Sequence, residues 1–269
     1  LAYHMISGIR IFKGGIGPYD QRLGIFRYLD EGGTVKNIIL ADTRISGHSN
    51  SGGIVGQMKS GTIENCHVLN DVLIRAYNNS TETIGGIVGQ CFYNSTATIK
   101  NCSSSATIDG PNADNKEFGG IAGDSGDATV ENNMVIEASI DATYDNSYGA
   151  ISGNYGGNSQ NNKYRNNYYW NCKIGSSNIN RARGSRGDNI FTNDGATHCF
   201  FITCGENIRT GAGSSTFTIP AHGYVAETTY VFSVDNRSVQ VFYDAPHDQD
   251  DLKAVLTYTY TGDLEPADV

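Results

Sequence analysis

The segment Asn161-Asn162-Lys163-Tyr164-Arg165-Asn166-Asn167-Tyr168-Tyr169-Trp170-Asn171 gathers the chain's single tryptophan, three tyrosines and a run of amides. Aromatic rings stack on the C–H faces of sugars and amides bind hydroxyls, so Tyr168, Tyr169 and Trp170 are the candidate ligand-binding residues. A terminal repeat would use the same rings to cover the end of a core, and both readings stay open at the level of sequence. In a strand Tyr168 and Trp170 share one side while Tyr169 points opposite. One side must then be core, and any glycan contact uses the exposed member.

Other chemistries find less support. Glycoside hydrolysis needs two carboxylates fixed on rigid elements, and polysaccharide lyases add Ca²⁺ and a basic residue. The acidic residues nearest the strand-like segments, Asp71, Asp109, Glu137 and Asp141, stand at unequal offsets from the asparagines that punctuate the chain. That predicts no convergent pair and no catalytic residue. The six histidines, His4, His48, His67, His198, His222 and His247, are scattered without ligand spacing, so neither a metal site nor a nucleophilic triad is expected. The acidic runs Asp109 to Asp114 and Asp244 to Asp251 do not match the EF-hand loop and read as solvated turns, with weak Ca²⁺ binding as the alternative. No cofactor is expected. Arg181, Arg183 and Arg186 lie in a Gly- and Ser-rich stretch, which reads as a basic linker, with an acidic glycan contact as the alternative.

The six cysteines, Cys66, Cys91, Cys102, Cys172, Cys199 and Cys204, show no Cys-x-x-Cys spacing. Cys66 and Cys102 follow the same repeated motif, so they read as a stacked pair of small buried thiols. A bridge between adjacent turns is sterically conceivable. Cys199 and Cys204 are a less defined pair.

The elements that must position these residues come from a repeat. Thr-(Val/Ile)-(Lys/Glu)-Asn occurs at Thr34 to Asn37, Thr62 to Asn65, Thr98 to Asn101 and Thr129 to Asn132. Each copy precedes a Gly-rich box: Gly52-Gly53-Ile54-Val55-Gly56-Gln57, Gly85-Gly86-Ile87-Val88-Gly89-Gln90, Gly119-Gly120-Ile121-Ala122-Gly123-Asp124 and a decayed Gly149-Ala150-Ile151-Ser152-Gly153-Asn154, which start 33, 34 and 30 residues apart. Periods of that size mark solenoids, propellers or arrays. Helical repeats are excluded, because Gly, Asn, Ser and Thr dominate where Ala, Leu, Glu and Lys would be needed. The apolar residue flanked by Thr and a charge has the period of a half-buried strand.

Each period reads as about three short strands, which suggests a parallel β-helix. The Asn closing each motif tolerates the left-handed conformation of a sharp bend. Val35, Ile63 and Ile99 should face inward before it, and Ile38, Cys66 and Cys102 after it. Stacking in register sets Lys36, Glu64, Lys100 and Glu131 in one solvent-facing column of alternating charge.

These motifs, with the Asn-Cys pair that follows two of them, resemble the GLUG-motif repeat over roughly Leu23 to Asn154. Leu23-Gly24-Ile25-Phe26 resembles a degenerate opening box, and Asn166-Asn167-Tyr168 sits where a fifth bend would fall. The resemblance implies a β-solenoid stalk or binding surface in a bacterial cell-surface or secreted protein, adhesin-like as in gut Bacteroidetes. It implies no catalytic residue.

The expected architecture is all-β: a right-handed parallel β-helix of about five rungs over residues 1–180, then a small antiparallel, sandwich-like or capping domain over 190–269. About five alternating strands after Phe191 would form that domain and close the solenoid's end. The net charge of −9 disfavours nucleic acid and anionic membrane, and no apolar run is long enough to span a bilayer. The start Leu1-Ala2-Tyr3-His4 has no leader features, which reads as a mature or excised piece of a secreted protein. The expected function is a non-enzymatic, extracellular, adhesin-like surface protein that presents a glycan or an extracellular protein with a binding face. A β-helix carbohydrate-active enzyme and a structural spacer are the alternatives.

Overall fold

A computed structural model of the protein describes residues 3–12, 22–47, 50–76, 83–110, 117–142, 147–154, 164–165, 167–170, 172–179, 199–201, 203–204, 213–218, 228–234, 237–244 and 253–260. They form strands, turns and bends, with no helix among them. One turn of the chain runs through Thr34–Lys36, Ile38–Ala41, Arg44–Gly47, Asn50–Gly52 and Val55–Met58, and the next starts at Thr62–Glu64. Each strand pairs in parallel with its counterpart one turn later. The result is five parallel sheets, numbered 1 to 5 in the order the chain visits them.

Four complete turns, starting at Thr34, Thr62, Thr98 and Thr129, are flanked by partial turns. The protein is a parallel β-solenoid. Each turn holds five strands where the sequence pattern suggested three, because every Asn bend is followed at once by a further strand and every Gly-Gly pair splits its box into two. The opening box is present as expected, with Leu23 in register with Ser51 and Phe26 with Val55.

The asparagine bends set the register. Asn37, Asn65, Asn101 and Asn132 have φ of 59°, 52°, 54° and 54°, the left-handed region that Asn tolerates better than other side chains. Asn65 Nδ2 donates to Asn37 Oδ1 at 3.2 Å, one rung of an amide ladder. Just before the bends, Lys36, Glu64, Lys100 and Glu131 are register partners, and Arg165 continues the alternation. Lys100 Nζ lies 3.3 Å from Glu64 Oε1. Such half-exposed pairs contribute about 0–1 kcal/mol each, so they select register more than they hold the fold together.

Asn65→Ala is expected to lower the unfolding free energy by about 1–2 kcal/mol, since Cβ without a compensating amide crowds the following carbonyl. Asn65→Gly should recover most of that loss. Equal losses for the two variants in chemical denaturation would mean that the ladder bond, not the backbone conformation, dominates.

Inward columns fill the core. In sheet 3, Ile11, Ile45, Ile74, Ile108, Ile140 and Ile174 are successive register partners. Ile54, Ile87, Ile121 and Ile151, from the Gly boxes, are fully buried. A glycine precedes Ile54, Ile87 and Ile121 because the backbone approaches too closely for a side chain, and Ala150 takes that place before Ile151 in the last turn. A Cβ on Gly53, Gly86 or Gly120 would run into the carbonyl oxygen of the box one turn later.

At the far end, Lys173–Ile174 pairs antiparallel with Ser177–Asn178 and so finishes sheet 3. Cys199–Phe201 lies beyond the boundary read from the sequence, yet it pairs in parallel with Asn167–Trp170 and extends sheet 2. Thr203–Cys204, Gly213–Thr218, Lys253–Tyr260, Arg237–Asp244 and Thr228–Val234 form a sixth, antiparallel sheet in that spatial order. No helix among the described residues is long and apolar enough to cross a membrane.

Candidate binding surface

The strand Asn167–Trp170 sits on sheet 2, with Tyr168, Tyr169 and Trp170 in register with Met134, Val135 and Ile136. Tyr169 is fully buried and belongs to the main core. It is the inward member of the trio, which removes it as a surface contact. The rings of Tyr168 and Trp170 lie outside the described residues, as do Asn161 to Lys163, the arginines Arg181, Arg183 and Arg186, and the acidic stretches 111–114 and 248–251.

Asp109 and Asp141, which unequal offsets separate in the sequence, are register partners on the outward face of sheet 3. The corner between sheets 2 and 3 absorbs the difference. It holds no extra residue between Ser105 and Ala106, one at Asp42 or Glu137, and two at Asn70 and Asp71. Asp42 and Glu137 take φ of 38° and 55° to fit. Arg75 forms an ion pair with Asp109, so one of the two carboxylates already has a cationic partner.

Four of the thiols belong to the core. Cys66, Cys91, Cys102 and Cys172 are free and buried, and no bridge joins Cys66 to Cys102. The Cys66 thiol lies 3.4 Å from Glu64 O and the Cys102 thiol 3.1 Å from Lys100 O. Burial pushes the Cys102 thiol well above its ordinary range, and burial with the nearby Asp124 charge does the same to Cys91. Thiols held protonated in this way are poor nucleophiles. Among the described residues, no group of three or more His, Cys, Asp or Glu is placed to hold a metal.

Exposed aromatic surface lies at the opposite end from the trio, in the first turn. On the strand Phe26–Leu29 of sheet 5, Phe26 is 40 % and Tyr28 38 % exposed. The Arg22 guanidinium stands 5.0 Å above the Tyr28 ring centroid. Phe92 packs edge-on against Tyr28, with centroids 6.4 Å apart, and the neighbouring Tyr93 is 56 % exposed. A cation over a ring at this distance stabilises the pair by about 0.5–1 kcal/mol at an exposed site. It also holds the ring in one orientation.

Arg22 and Tyr28 head two polar columns. Arg22, Asn50, Thr83, Glu117 and Ser147 follow one another on sheet 4, and Tyr28, Gln57, Gln90, Asp124 and Asn154 on sheet 5. The columns are sewn together. Gln57 Nε2 and Asn50 Nδ2 both donate to Gln90 Oε1, at 2.6 and 2.9 Å, Thr83 Oγ1 donates to Asn50 Oδ1 at 2.6 Å, and Asn154 Nδ2 donates to Glu117 Oε1 at 3.0 Å. Gly126 N–H donates to Asp124 Oδ1 at 2.9 Å. Glu117 and Asp124, both buried, are therefore members of a structural network rather than free carboxylates.

Beside the rings, Asp30 accepts from Glu31 N–H at 2.8 Å and Ser60 Oγ at 2.9 Å, with Lys59 Nζ 3.4 Å away. The backbone bond from Glu31, then those from Ser60 and Lys59, hold its carboxyl below the usual range. The arrangement offers ring faces, a guanidinium and an ionised carboxylate along one edge of the solenoid. The alternation Phe26-Arg27-Tyr28 is the sequence signal that points to it, with both rings on one side of a strand. Comparison with known protein families, with curated proteins and with solved structures finds no match for the chain.

Proposed function

We propose that the protein is a non-enzymatic, extracellular, adhesin-like surface protein whose solenoid presents a binding face to a glycan. The observation that carries this reading is the exposed ring group headed by the first turn, where Arg22 caps Tyr28, Phe26 shares its strand and Phe92, from two turns later, packs against its ring. Flat rings beside hydrogen-bonding groups suit a sugar, which has apolar C–H faces and equatorial hydroxyls. The likeness of the Gly boxes and Asn bends to GLUG-motif repeats supports a bacterial surface setting. The acidic net charge fits a partner other than nucleic acid.

A glycan-array screen of the purified chain, followed by calorimetric titration of the best hit, tests the proposal. Tyr28→Ala should weaken binding about tenfold or more, which corresponds to about 1.4 kcal/mol. Arg44→Ala, on another face, should change it little. Binding that survives Tyr28→Ala but is lost in Trp170→Ala would move the site to the opposite end of the solenoid. No glycan binding at all would favour an extracellular protein ligand or a spacer.

The enzyme alternative has one foothold, the paired register of Asp109 and Asp141. Under it, Asp141→Asn would abolish a polysaccharide-cleaving activity of the unmodified chain.

A further inference from the structure

Sheet 2 is buried on both faces, unlike its neighbours. Its inner column, Leu40, Val68, Ser104, Val135 and Tyr169, belongs to the solenoid interior. Its outer column, Ile39, His67, Ser103 and Met134, is at most 7 % exposed, and so is the parallel column of Ala41, Leu69, Ser105 and Ile136. On sheet 3 the outward Arg44, Arg75 and Asp141 are exposed. Met5 heads the Ile39 column in the first turn and is 57 % exposed. The cover therefore starts after the first turn and runs along the later ones.

Tyr3 supplies part of it. Ile39, Ala41 and Leu69 form an apolar cluster separate from the main core, with Tyr3 packed against it, and the Tyr3 ring meets His67 edge-on at 5.1 Å. For the later turns the neighbour is Thr228–Val234, the edge strand of the antiparallel sheet, whose backbone passes close to both His67–Val68 and Ser103–Ser104. Its sequence, Thr-Thr-Tyr-Val-Phe-Ser-Val, places Tyr230, Phe232 and Val234 at alternate positions, an apolar period of two suited to lying on an apolar sheet face.

We infer that the C-terminal antiparallel sheet is clasped by its edge strand Thr228–Val234 onto the outer face of sheet 2, across the turns that carry His67 and Ser103. The sheet then lies along the flank of the solenoid, not over its end as the sequence suggested. The burial of the outward His67 and Ser103 side chains, beside an apolar strip that would otherwise be aggregation-prone, is explained by their place in the seat of this clasp.

His67 reports on it without any mutation. Its Nδ1 lies 2.9 Å from Ser103 Oγ, and burial holds its pKa down to about 3, against about 6.5 for an exposed histidine. In the full chain, an NMR titration of the histidine rings should show His67 silent between pH 5 and 8. In the second measurement, Met134→Arg should raise the His67 pKa toward 6.5 and speed amide hydrogen exchange in Thr228–Val234 at least tenfold, with exchange in the sheet 3 strands unchanged. His67 titrating near 6.5 in the unmodified chain would overturn the inference. So would Met134→Arg leaving both readouts unmoved, or a His67 pKa that rises on dilution, which would make the cover a second copy of the chain.

Discussion

Replacing Asn133 by alanine should lower the unfolding free energy by about 2–6 kcal/mol. Asn133 occupies the position held by Cys66 and Cys102 in earlier turns, just past the bend, and its side chain is fully buried. Oδ1 accepts from Cys102 N–H at 2.9 Å, and Nδ2 donates to Ile99 O and to Asn167 Oδ1, both at 3.0 Å. The bonds continue into the next turn, where Asn167 Oδ1 also accepts from Asn133 N–H at 3.1 Å and Asn167 Nδ2 donates to Val130 O at 2.8 Å.

Alanine would leave the Cys102 N–H and the Ile99 carbonyl without these partners inside the core. A buried polar group left unsatisfied costs about 1–3 kcal/mol, and two of them give the expected range. Equilibrium denaturation of Asn133→Ala decides it. A loss below about 1 kcal/mol would mean that the turn relaxes enough for other groups to take over the bonds. Asn133→Cys, which copies the turns before it, should lose less than alanine, because a thiol there can make weak bonds, as Cys102 Sγ does to Ile63 O at 3.9 Å.

The contrast between Asn133 and Cys66 marks what the sequence makes legible. Register is written plainly, because repeated side chains must stack on themselves. Alternating Lys and Glu, Asn at each bend and Ile in each Gly box all fall into the columns that the motif spacing implies. Strand count is not, because strands of two to four residues are too short to display a full alternation. The neighbourhood of Asp109 and Asp141 is hidden for a different reason. Offsets counted from the Asn bend assume a rigid turn, whereas the corner after sheet 2 takes in up to two extra residues by left-handed conformations or a wider loop. Phe26 and Tyr28 escape notice because they lie in a degenerate turn, where the repeat itself gives no contrast. The double burial of sheet 2 draws on Tyr3 and, in the inferred clasp, on a strand more than 90 residues further along the chain, which no local pattern encodes.

The same stacking logic makes the glycines of the boxes the least replaceable residues. Gly89→Ala should destabilise the protein by at least about 3 kcal/mol, the upper end of the usual overpacking penalty. Its φ lies outside the left-handed region, so the requirement is space alone. A Cβ there would sit 2.5 Å from Gly56 O, 2.5 Å from Ser51 N and 2.7 Å from Asn50 C, all backbone atoms of the preceding turn. Side chains could rotate away; a ladder of backbone hydrogen bonds cannot yield without separating the sheets. Gly56, Gly123 and Gly153 meet the strand opposite in the same manner, so relief at one turn would load the next. Gly33→Ala is the matched control, because its nearest neighbour is the end of the flexible Leu29 side chain at 2.7 Å, and its loss should stay below about 1 kcal/mol. Comparable losses at the two positions in thermal and urea unfolding would show that sheets 4 and 5 can move apart. In that case the conserved spacing of the boxes within this chain would reflect turn conformation, not the closeness of the two sheets.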